Sequence, residues 1–112
     1  MRGQSLKGHL DLLLLSMIAA GPKHGYAVME ALRAASDEAF DLPEGTIYPA
    51  LKRLETEGLL GSEWSVVQGR RRRTYHLTGQ GREALAEQRS GWEAFAAAMN
   101  QVVGGVPWPA TS

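Results

Sequence analysis

The sequence predicts a mainly α-helical fold of the α+β class with one small β-hairpin. Apolar residues recur at helical spacing in three successive stretches, 6–20, 23–35 and 41–60. Alternating residues suited to strands replace that spacing over 62–77, and a long helical pattern follows from residue 78. The order helix, helix, helix, hairpin is that of a winged helix-turn-helix, here followed by a long C-terminal helix.

Length and composition narrow the classes of protein. The 112 residues suffice for one domain with a modest core, and the lack of cysteine excludes a disulfide framework and a thiolate metal site. No apolar run approaches the roughly 20 residues that span a bilayer, and the N-terminus lacks a signal-peptide pattern. We therefore expect a cytoplasmic protein with no membrane partner.

Charge is balanced in sum but segregated along the chain. Twelve lysines and arginines face twelve aspartates and glutamates. Residues 45–82 carry seven basic and three acidic side chains, a balance of +4, whereas 1–44 and 83–112 each sum to −2. This distribution indicates a localised phosphate-binding face in the middle of the chain.

The first two helices are predicted over 6–20 and 23–35. The first is apolar on nearly all sides, so we expect part of it to pack against a partner chain. A Gly-Pro pair ends it. His24 and Tyr26 are expected in the first turn of the second helix, where free backbone N–H groups favour an anion.

The stretch 41–60 predicts a short helix with sharply divided faces. One face carries the expected core residues Ile47, Ala50, Leu51 and Leu54, and the others carry Gly45, Tyr48, Pro49, Lys52, Arg53 and Thr56. Gly58 ends the helix. Two starts are open: either Thr46 is the N-cap, or the helix begins near Glu44 and is distorted at Pro49.

The hairpin is predicted from two β-compatible runs, 62–67 and 72–77, joined by a loop over 68–71. Alternation gives each run a pair of side chains for the core, Trp64 with Val66 and Tyr75 with Leu77. Four consecutive arginines, 70–73, occupy the loop and the second strand. They indicate an anionic partner, with a solvated basic loop as the alternative.

The last helix is predicted from Thr78 or Gly79 to Val103, with Thr78 as its N-cap. Its apolar positions form a seam of about three heptads that one chain has too little of its own domain to bury. The seam and the first helix predict a dimer interface, formed by Leu10, Leu14, Leu85, Trp92, Phe95, Met99 and Val102. The predicted divisions are a winged-helix unit (1–77), a dimerisation helix (78–103) and a flexible tail (104–112) without a role for Trp108.

Three stretches resemble the PadR family of bacterial transcriptional regulators, specifically its small members with a single C-terminal helix. They are GPKHGYAVMEAL (21–32), GTIYPALKRLETEGLL (45–60) and GRRRRTYHLTGQG (69–81). The resemblance implies a homodimeric DNA-binding repressor, in which the last helix of each subunit packs on the first helix of the other. Two such helices in a symmetric dimer predict a pseudopalindromic operator with half-sites about one helical turn apart. The protein would be nucleoid-associated when it is bound to DNA.

The resemblance also implies a set of DNA-binding residues. Those facing the groove and its phosphates would be Thr46, Tyr48, Pro49, Lys52 and Arg53, of which Tyr48 and Lys52 favour phosphates and the others base edges. Those on the flanking backbone would be Lys23, His24 and Tyr26, and the hairpin would contribute Arg70, Arg71, Arg72 and Arg73.

Some relatives sense planar aromatic compounds at the dimer interface through a tryptophan of the last helix. Trp92 falls at the matching place, and the effector site it implies also includes Leu12, Gln88 and Ala96. The alternative is that Trp92 is an ordinary interface core residue. The small residues around it could leave a cavity or equally allow tight helix packing.

Two other classes of protein compete with DNA binding. The three histidines, His9, His24 and His76, have no catalytic partners at useful spacing, and the chain has no Gly-rich phosphate loop or nucleophile motif, so we expect no enzyme, cofactor or metal. A winged helix that has become a protein–protein module would carry acids on its third helix and hairpin. In this sequence the third helix and the hairpin instead carry mainly basic residues.

Overall fold

Four helices and three strands make up the part of the chain that the computed structural model describes, residues 9–107 and 109. Their order is α1 (Leu10–Ala19), β1 (Lys23–His24), α2 (Gly25–Ala35), α3 (Glu44–Thr56), β2 (Leu60–Val67), β3 (Arg70–Leu77) and α4 (Gly79–Gly104). The predicted α+β class is confirmed. The predicted first turn of the first helix, Trp108 and the end of the tail lie outside the described residues.

The core forms where α3 packs against α1, α2 and the base of the sheet. The four residues predicted for it on α3 are at most 6% exposed, which confirms the predicted buried face. The other elements add Leu14, Leu15, Ile18, Val28, Leu32, Leu60 and Tyr75. Leu14 is 0% exposed within its own chain, so its prediction as a dimer-interface residue is wrong.

The sheet is antiparallel with the order β1-β3-β2. Lys23 pairs with Tyr75 and His24 with Thr74, so the prediction that the second helix begins at residue 23 is wrong by two residues. The reason is that β3 takes these residues as a third strand along its second edge. His24 is instead the N-cap of α2, and its Nδ1 accepts a hydrogen bond from the backbone N–H of Ala27 at 3.2 Å.

The hairpin loop is shorter than the predicted one. Gln68 and Gly69 have φ values of 53° and 77°, and this pair of positive φ angles is that of a two-residue type I′ turn. Arg70 and Arg71 therefore lie in β3, paired with Val67 and Val66, and not in the loop. The shorter loop lengthens the hairpin and fixes its register.

The outer half of the hairpin projects from the core. Trp64 and Val66 are 56% and 71% exposed, so the prediction that they pack in the core is wrong. Tyr75 is buried and Leu77 packs against the core, as predicted. The core ends near the base of the hairpin, and the residues closer to its tip have nothing apolar to cover them.

Helix α3 begins at Glu44 with Pro43 as its N-cap, which decides between the two predicted starts. Pro49 is therefore inside the helix, where it has no N–H to donate to the carbonyl of Gly45. At the other end Gly58 has φ 84°, and Leu59 N–H donates to Leu54 O at 3.0 Å. This is a Schellman ending, and it confirms the predicted stop at Gly58.

Helix α4 is attached to the end of α3 through Thr78. The Thr78 hydroxyl accepts from Gly81 N–H at 3.0 Å, which confirms the predicted N-cap, and donates to Gly58 O at 2.6 Å. Gly81 has no room for a side chain, since a Cβ there would lie 2.0 Å from Leu59 O. The helix then leaves the domain with its apolar seam uncovered, and Trp92, Phe95, Met99 and Val102 are 43–69% exposed.

Candidate nucleic-acid interface

One exposed edge of α3 carries Tyr48 and Lys52. The Tyr48 ring lies on Gly25 at the start of α2, where a Cβ would come within 2.4 Å of the ring atom Cε1. Gly25 is therefore the residue that lets the tyrosine lie flat on α2. Lys52 is exposed and forms no ion pair with the residues that the structure describes. This edge thus presents a hydroxyl and a free ammonium group to solvent.

The hairpin presents two of its four arginines on the face that continues from the core. Arg73 lies opposite Trp64, and Arg71 lies opposite Val66, on the same face as the buried Tyr75. The guanidinium carbons of Arg71 and Arg73 lie 4.7 and 5.4 Å from the centre of the Trp64 ring. The alternate arginines, 70 and 72, lie on the opposite face of the hairpin.

A polar cluster connects this hairpin to α3. Arg73 Nε donates to Ser62 Oγ at 2.7 Å, and Arg73 Nη2 lies 3.5 Å from a carboxylate oxygen of Glu55. The Ser62 hydroxyl itself donates to Glu55. Glu55 therefore ties β2 and β3 to the helix, and it neutralises part of the charge of Arg73.

A cleft of about 330 Å³ lies between β1, α3 and the hairpin. It is lined by His24, Gly25, Tyr48, Trp64, Arg71, Arg72, Arg73 and Tyr75. Burial and the neighbouring Arg72 lower the pKa of His24, and burial raises the pKa of Tyr75. Tyrosine hydroxyls and several cations make this cleft suitable for a phosphate oxygen.

The flanking residues predicted around His24 are accessible. Tyr26 is 48% exposed in the first turn of α2, which agrees with its predicted position. Lys23 is half-buried, and its Nζ donates to Gly21 O at 3.2 Å. The structure therefore brings His24, Tyr48, Arg71, Arg72 and Arg73 together around one cleft beside α3, and Arg70 does not line it. Tyr26 and Lys52 are exposed next to Gly25 and one turn after Tyr48, respectively.

The opposite edge of α3 is a different environment. Arg53 is bidentate to Asp11 of α1, with Nη1 3.2 Å from Oδ2, and Nη1 also lies 3.0 Å from Glu57. The hydrogen bonds to Asp11, and then to Glu57, raise the pKa of Arg53 above its usual value. Thr46 is half-buried near this edge. The cation predicted to reach base edges is thus held by two carboxylates.

Pro49 and Arg53 line a second and larger cleft of about 720 Å³ between α1, α3 and α4. The remaining lining comes from His9, Leu10, Asp11, Leu12, Ala50, Gln88, Gly91, Trp92 and Phe95. Trp92 meets the His9 ring edge-on at 5.1 Å between ring centres and Phe95 at 6.0 Å. Of the predicted effector residues, Trp92, Leu12 and Gln88 line this cleft, whereas Ala96 does not.

Several residues that fix these sites were absent from the predicted set. Asp11 and Glu57 hold Arg53, Glu55 and Ser62 hold Arg73, Gly25 seats the Tyr48 ring, and Trp64 was expected in the core. The signal that could have found Trp64 is the Gln68-Gly69 pair. A two-residue loop there places Trp64 opposite Arg73 by counting along the strands.

Comparisons with known proteins agree with this geometry. Residues 14–87, more than half of the chain, match the model of the transcriptional regulator PadR-like family. The transcriptional regulator Rv3488 of Mycobacterium tuberculosis is 42% identical over 94 residues, which cover 84% of this chain and 82% of the relative.

Solved structures of the same family share the fold. A PadR family transcription regulator from Clostridium difficile has a TM-score of 0.75 at 33% identity, covering 86% of this chain and 99% of its own. A PadR-like transcriptional regulator from Bacillus cereus has a TM-score of 0.80 at 29% identity, covering 90% and 97%. These values apply to almost the whole length of each protein.

The fold is a winged helix, and the matching family and relatives are transcriptional regulators, a class of protein that binds DNA and is not an enzyme. Within that class, the chain belongs to the PadR-like family. Across residues 9–107 and 109, no three histidine, cysteine or carboxylate side chains gather as a metal site requires. In the same part of the chain, no helix is both long and apolar enough to cross a membrane.

Proposed function

We propose that the chain represses transcription by binding a pseudopalindromic operator as a homodimer in the cytoplasm. The observation that carries the proposal is the exposed edge of α3 with Tyr48 and Lys52, where Tyr48 lines one cleft with the hairpin residues Arg71 and Arg73. Helix α3 is the third helix of a winged helix-turn-helix, the element that enters the major groove. The hairpin beside it then reaches the adjacent phosphates.

The contacts divide by chemistry. Lys52, Lys23 and the hairpin arginines would neutralise phosphates, and Tyr48 would donate its hydroxyl to the backbone. His24 accepts through Nδ1 from Ala27 N–H, which leaves its other ring nitrogen protonated and able to donate to a phosphate. Arg53 is not assigned to base edges, because Asp11 and Glu57 already hold it.

The homodimer is supported by the uncovered seam of α4. Four large apolar residues, Trp92, Phe95, Met99 and Val102, lie exposed along one side of a 26-residue helix. A seam of this kind is the usual interface of paired helices. Leu10 and Leu85 are only partly buried against the core, so the first and last helices of two chains together can cover the seam.

An aromatic effector is supported by the larger cleft. Trp92 and Phe95 offer aromatic surface, and the cleft extends to Pro49 and Arg53 of α3. A planar compound bound there would touch the dimerisation helix and the DNA-reading helix at once.

The effector site is tested by tryptophan fluorescence. Quenching by planar aromatic compounds should be strong in the wild type and weak in Trp92→Ala, with Trp64 and Trp108 as background. Equal quenching in both would remove Trp92 from this role.

DNA binding is tested by fluorescence anisotropy with a duplex of the gene's own upstream region at several salt concentrations. Each phosphate that a cation neutralises adds about 0.9 to the slope of log K against log salt. Lys52→Ala and Arg71→Ala should each weaken binding and flatten the slope by about 1, since each variant removes one cation from the backbone. The matched control is Arg33→Ala, which removes the same charge from the exposed end of α2. If all three variants equal the wild type, the protein–protein alternative is favoured.

Dimerisation is tested by sedimentation. Phe95→Asp places a carboxylate in the seam and should convert the dimer into a monomer at micromolar concentration. Ala97→Asp adds the same charge on the other side of α4, since the two positions are about 200° apart at 100° per residue. It should stay dimeric. A Phe95→Asp variant that remains a dimer contradicts the proposed interface.

A further inference from the structure

We infer that Trp64 is a positioning residue of the DNA interface, whose indole holds Arg71 and Arg73 ready for the phosphate backbone. The inference rests on the proposed DNA-binding function and adds to it a residue that carries no charge. Trp64 is a large aromatic side chain that is 56% exposed near the outer half of the hairpin. Tryptophan is highly buried on average in proteins, so this exposure favours a role at a binding surface.

The register of the hairpin places Trp64 among like charges. Arg73 is directly opposite it, and Arg71 is two residues further along the same face of β3. The two guanidinium carbons lie 4.7 and 5.4 Å from the ring centre, within the distance over which the face of an indole attracts a cation. The ring therefore offsets the repulsion between two arginines that point the same way.

The two arginines differ in what else holds them. Arg73 also donates to Ser62 at 2.7 Å and lies 3.5 Å from Glu55. The Arg71 guanidinium forms no ion pair with a described residue, and it is the Trp64 ring that holds it. Removal of the indole should thus release Arg71 more than Arg73.

An arginine that lies on an aromatic face keeps the N–H groups along its edge available. Those groups can donate to phosphate oxygens while the face of the guanidinium stays on the ring. A side chain that is ordered before DNA arrives loses less conformational freedom when it binds. The same ring also borders the cleft with Tyr48 and His24, so the held arginines lie beside the exposed edge of α3.

The test compares Trp64→Leu, Trp64→Phe and the control Val66→Ala in the salt-dependent anisotropy measurement. Leucine suits a strand but has no π face, so Trp64→Leu should weaken binding about tenfold, the size of two exposed cation–π interactions. The salt slope should stay close to that of the wild type, because both arginines keep their charge. Phenylalanine keeps a π face and should restore most of the affinity. Val66→Ala shortens an exposed residue of the same face opposite Arg71 and should stay within about twofold of the wild type.

A second measurement needs no DNA. In the free protein the ring current of Trp64 should move the Nε–H resonance of Arg71 upfield, and Trp64→Leu should return it to the position of a solvated arginine. Thermal unfolding of each variant establishes that the domain is folded, since an exposed site should change Tm little.

The outcomes separate the inference from the function on which it rests. Weaker binding and the disappearance of the ring-current shift in Trp64→Leu support the inference. Unchanged affinity overturns it. Weaker binding also overturns it if Arg71 shows no ring-current shift in the wild type, because the ring would then act on DNA without holding the arginine. A wild-type protein that binds no duplex overturns the proposed function, and the resonance of Arg71 still shows whether the ring holds the arginine.

Discussion

The two exposed edges of α3 carry similar cations in opposite situations. On one edge Lys52 stands free of ion pairs among the described residues, one turn from Tyr48, whose ring lines a cleft with Arg71 and Arg73. On the other edge Arg53 is held by Asp11 and Glu57 and faces a cleft lined by Trp92. The residues are neighbours in sequence, and helical geometry alone turns them about 100° apart. Adjacent positions of one helix thus serve different purposes.

The difference shows that a cation's neighbours, and not its presence, decide whether it can bind phosphate. An arginine between two carboxylates must give up those partners before it can bind DNA, so its contribution to affinity is small. Lys52 gives up only water. The Arg53 edge has a structural position instead, since the ion pair of Arg53 with Asp11 joins α1 to α3 beside the larger cleft.

The largest effect is expected on the edge of Tyr48. Gly25→Ala places a Cβ 2.4 Å from the Tyr48 ring, so the ring must move off α2. Overpacking of this kind should cost about 1 kcal/mol of the free energy of unfolding, the lower end of the usual range, because the Tyr48 ring is 38% exposed and can turn into solvent. Displacement of Tyr48 should also weaken binding to the upstream duplex. Chemical denaturation measures the first effect and anisotropy the second.

The control for that substitution lies on α3 itself. Gly45 has nothing within 4 Å of the position a Cβ would take, so Gly45→Ala should raise stability by up to about 1 kcal/mol through helix propensity. If Gly25→Ala is as stable as Gly45→Ala, the close packing of Tyr48 on α2 is not significant.

An intermediate effect is expected on the edge of Arg53. Asp11→Asn removes one of its two carboxylates, and an exposed ion pair contributes at most about 1 kcal/mol to stability. The freed charge should strengthen DNA binding by a few-fold and steepen the salt slope by up to about 1. Glu30→Gln removes one acid from the exposed side of α2 and controls for net charge. Equal slopes in Asp11→Asn and Glu30→Gln would show that the ion pair does not restrain Arg53.

The features that could be predicted from the sequence are those that short stretches determine. The buried face of α3, the glycine stop at residue 58 and the cap at Thr78 depend on residues within one or two turns, so periodicity and capping rules suffice. The order of the elements follows from the same local patterns. Together these patterns predict the winged helix-turn-helix.

The features that were missed depend on partners far along the chain. Strand β1 forms because β3, some 50 residues later, offers an edge, and Asp11 meets Arg53 across 42 residues. The exposure of Trp64 depends on where the core ends, and the burial of Leu14 on how α1 turns toward α3. No local pattern of a single sequence encodes these distances, so the contacts that hold each candidate residue could not be predicted from it.

The smallest effect is expected at His24, which caps α2 beside the edge of Tyr48. Its Nδ1 accepts from Ala27 N–H only when the ring is neutral, and burial and Arg72 lower its pKa below the usual 6.5. The unfolded chain therefore takes up a proton at higher pH than the folded one. The stability that His24 contributes is complete above about pH 6.5 and is lost as the pH falls toward its folded-state pKa. Loss of a whole N-cap costs about 1 kcal/mol, and the loss of stability at low pH should be smaller than that.

His24→Asn keeps an acceptor at the cap but does not titrate, so its free energy of unfolding should change less between about pH 7 and pH 5 than that of the wild type. His24→Ala should be less stable than His24→Asn at every pH, because it lacks the cap as well. Parallel pH profiles for the wild type and His24→Asn would show that the cap does not depend on the charge of the ring.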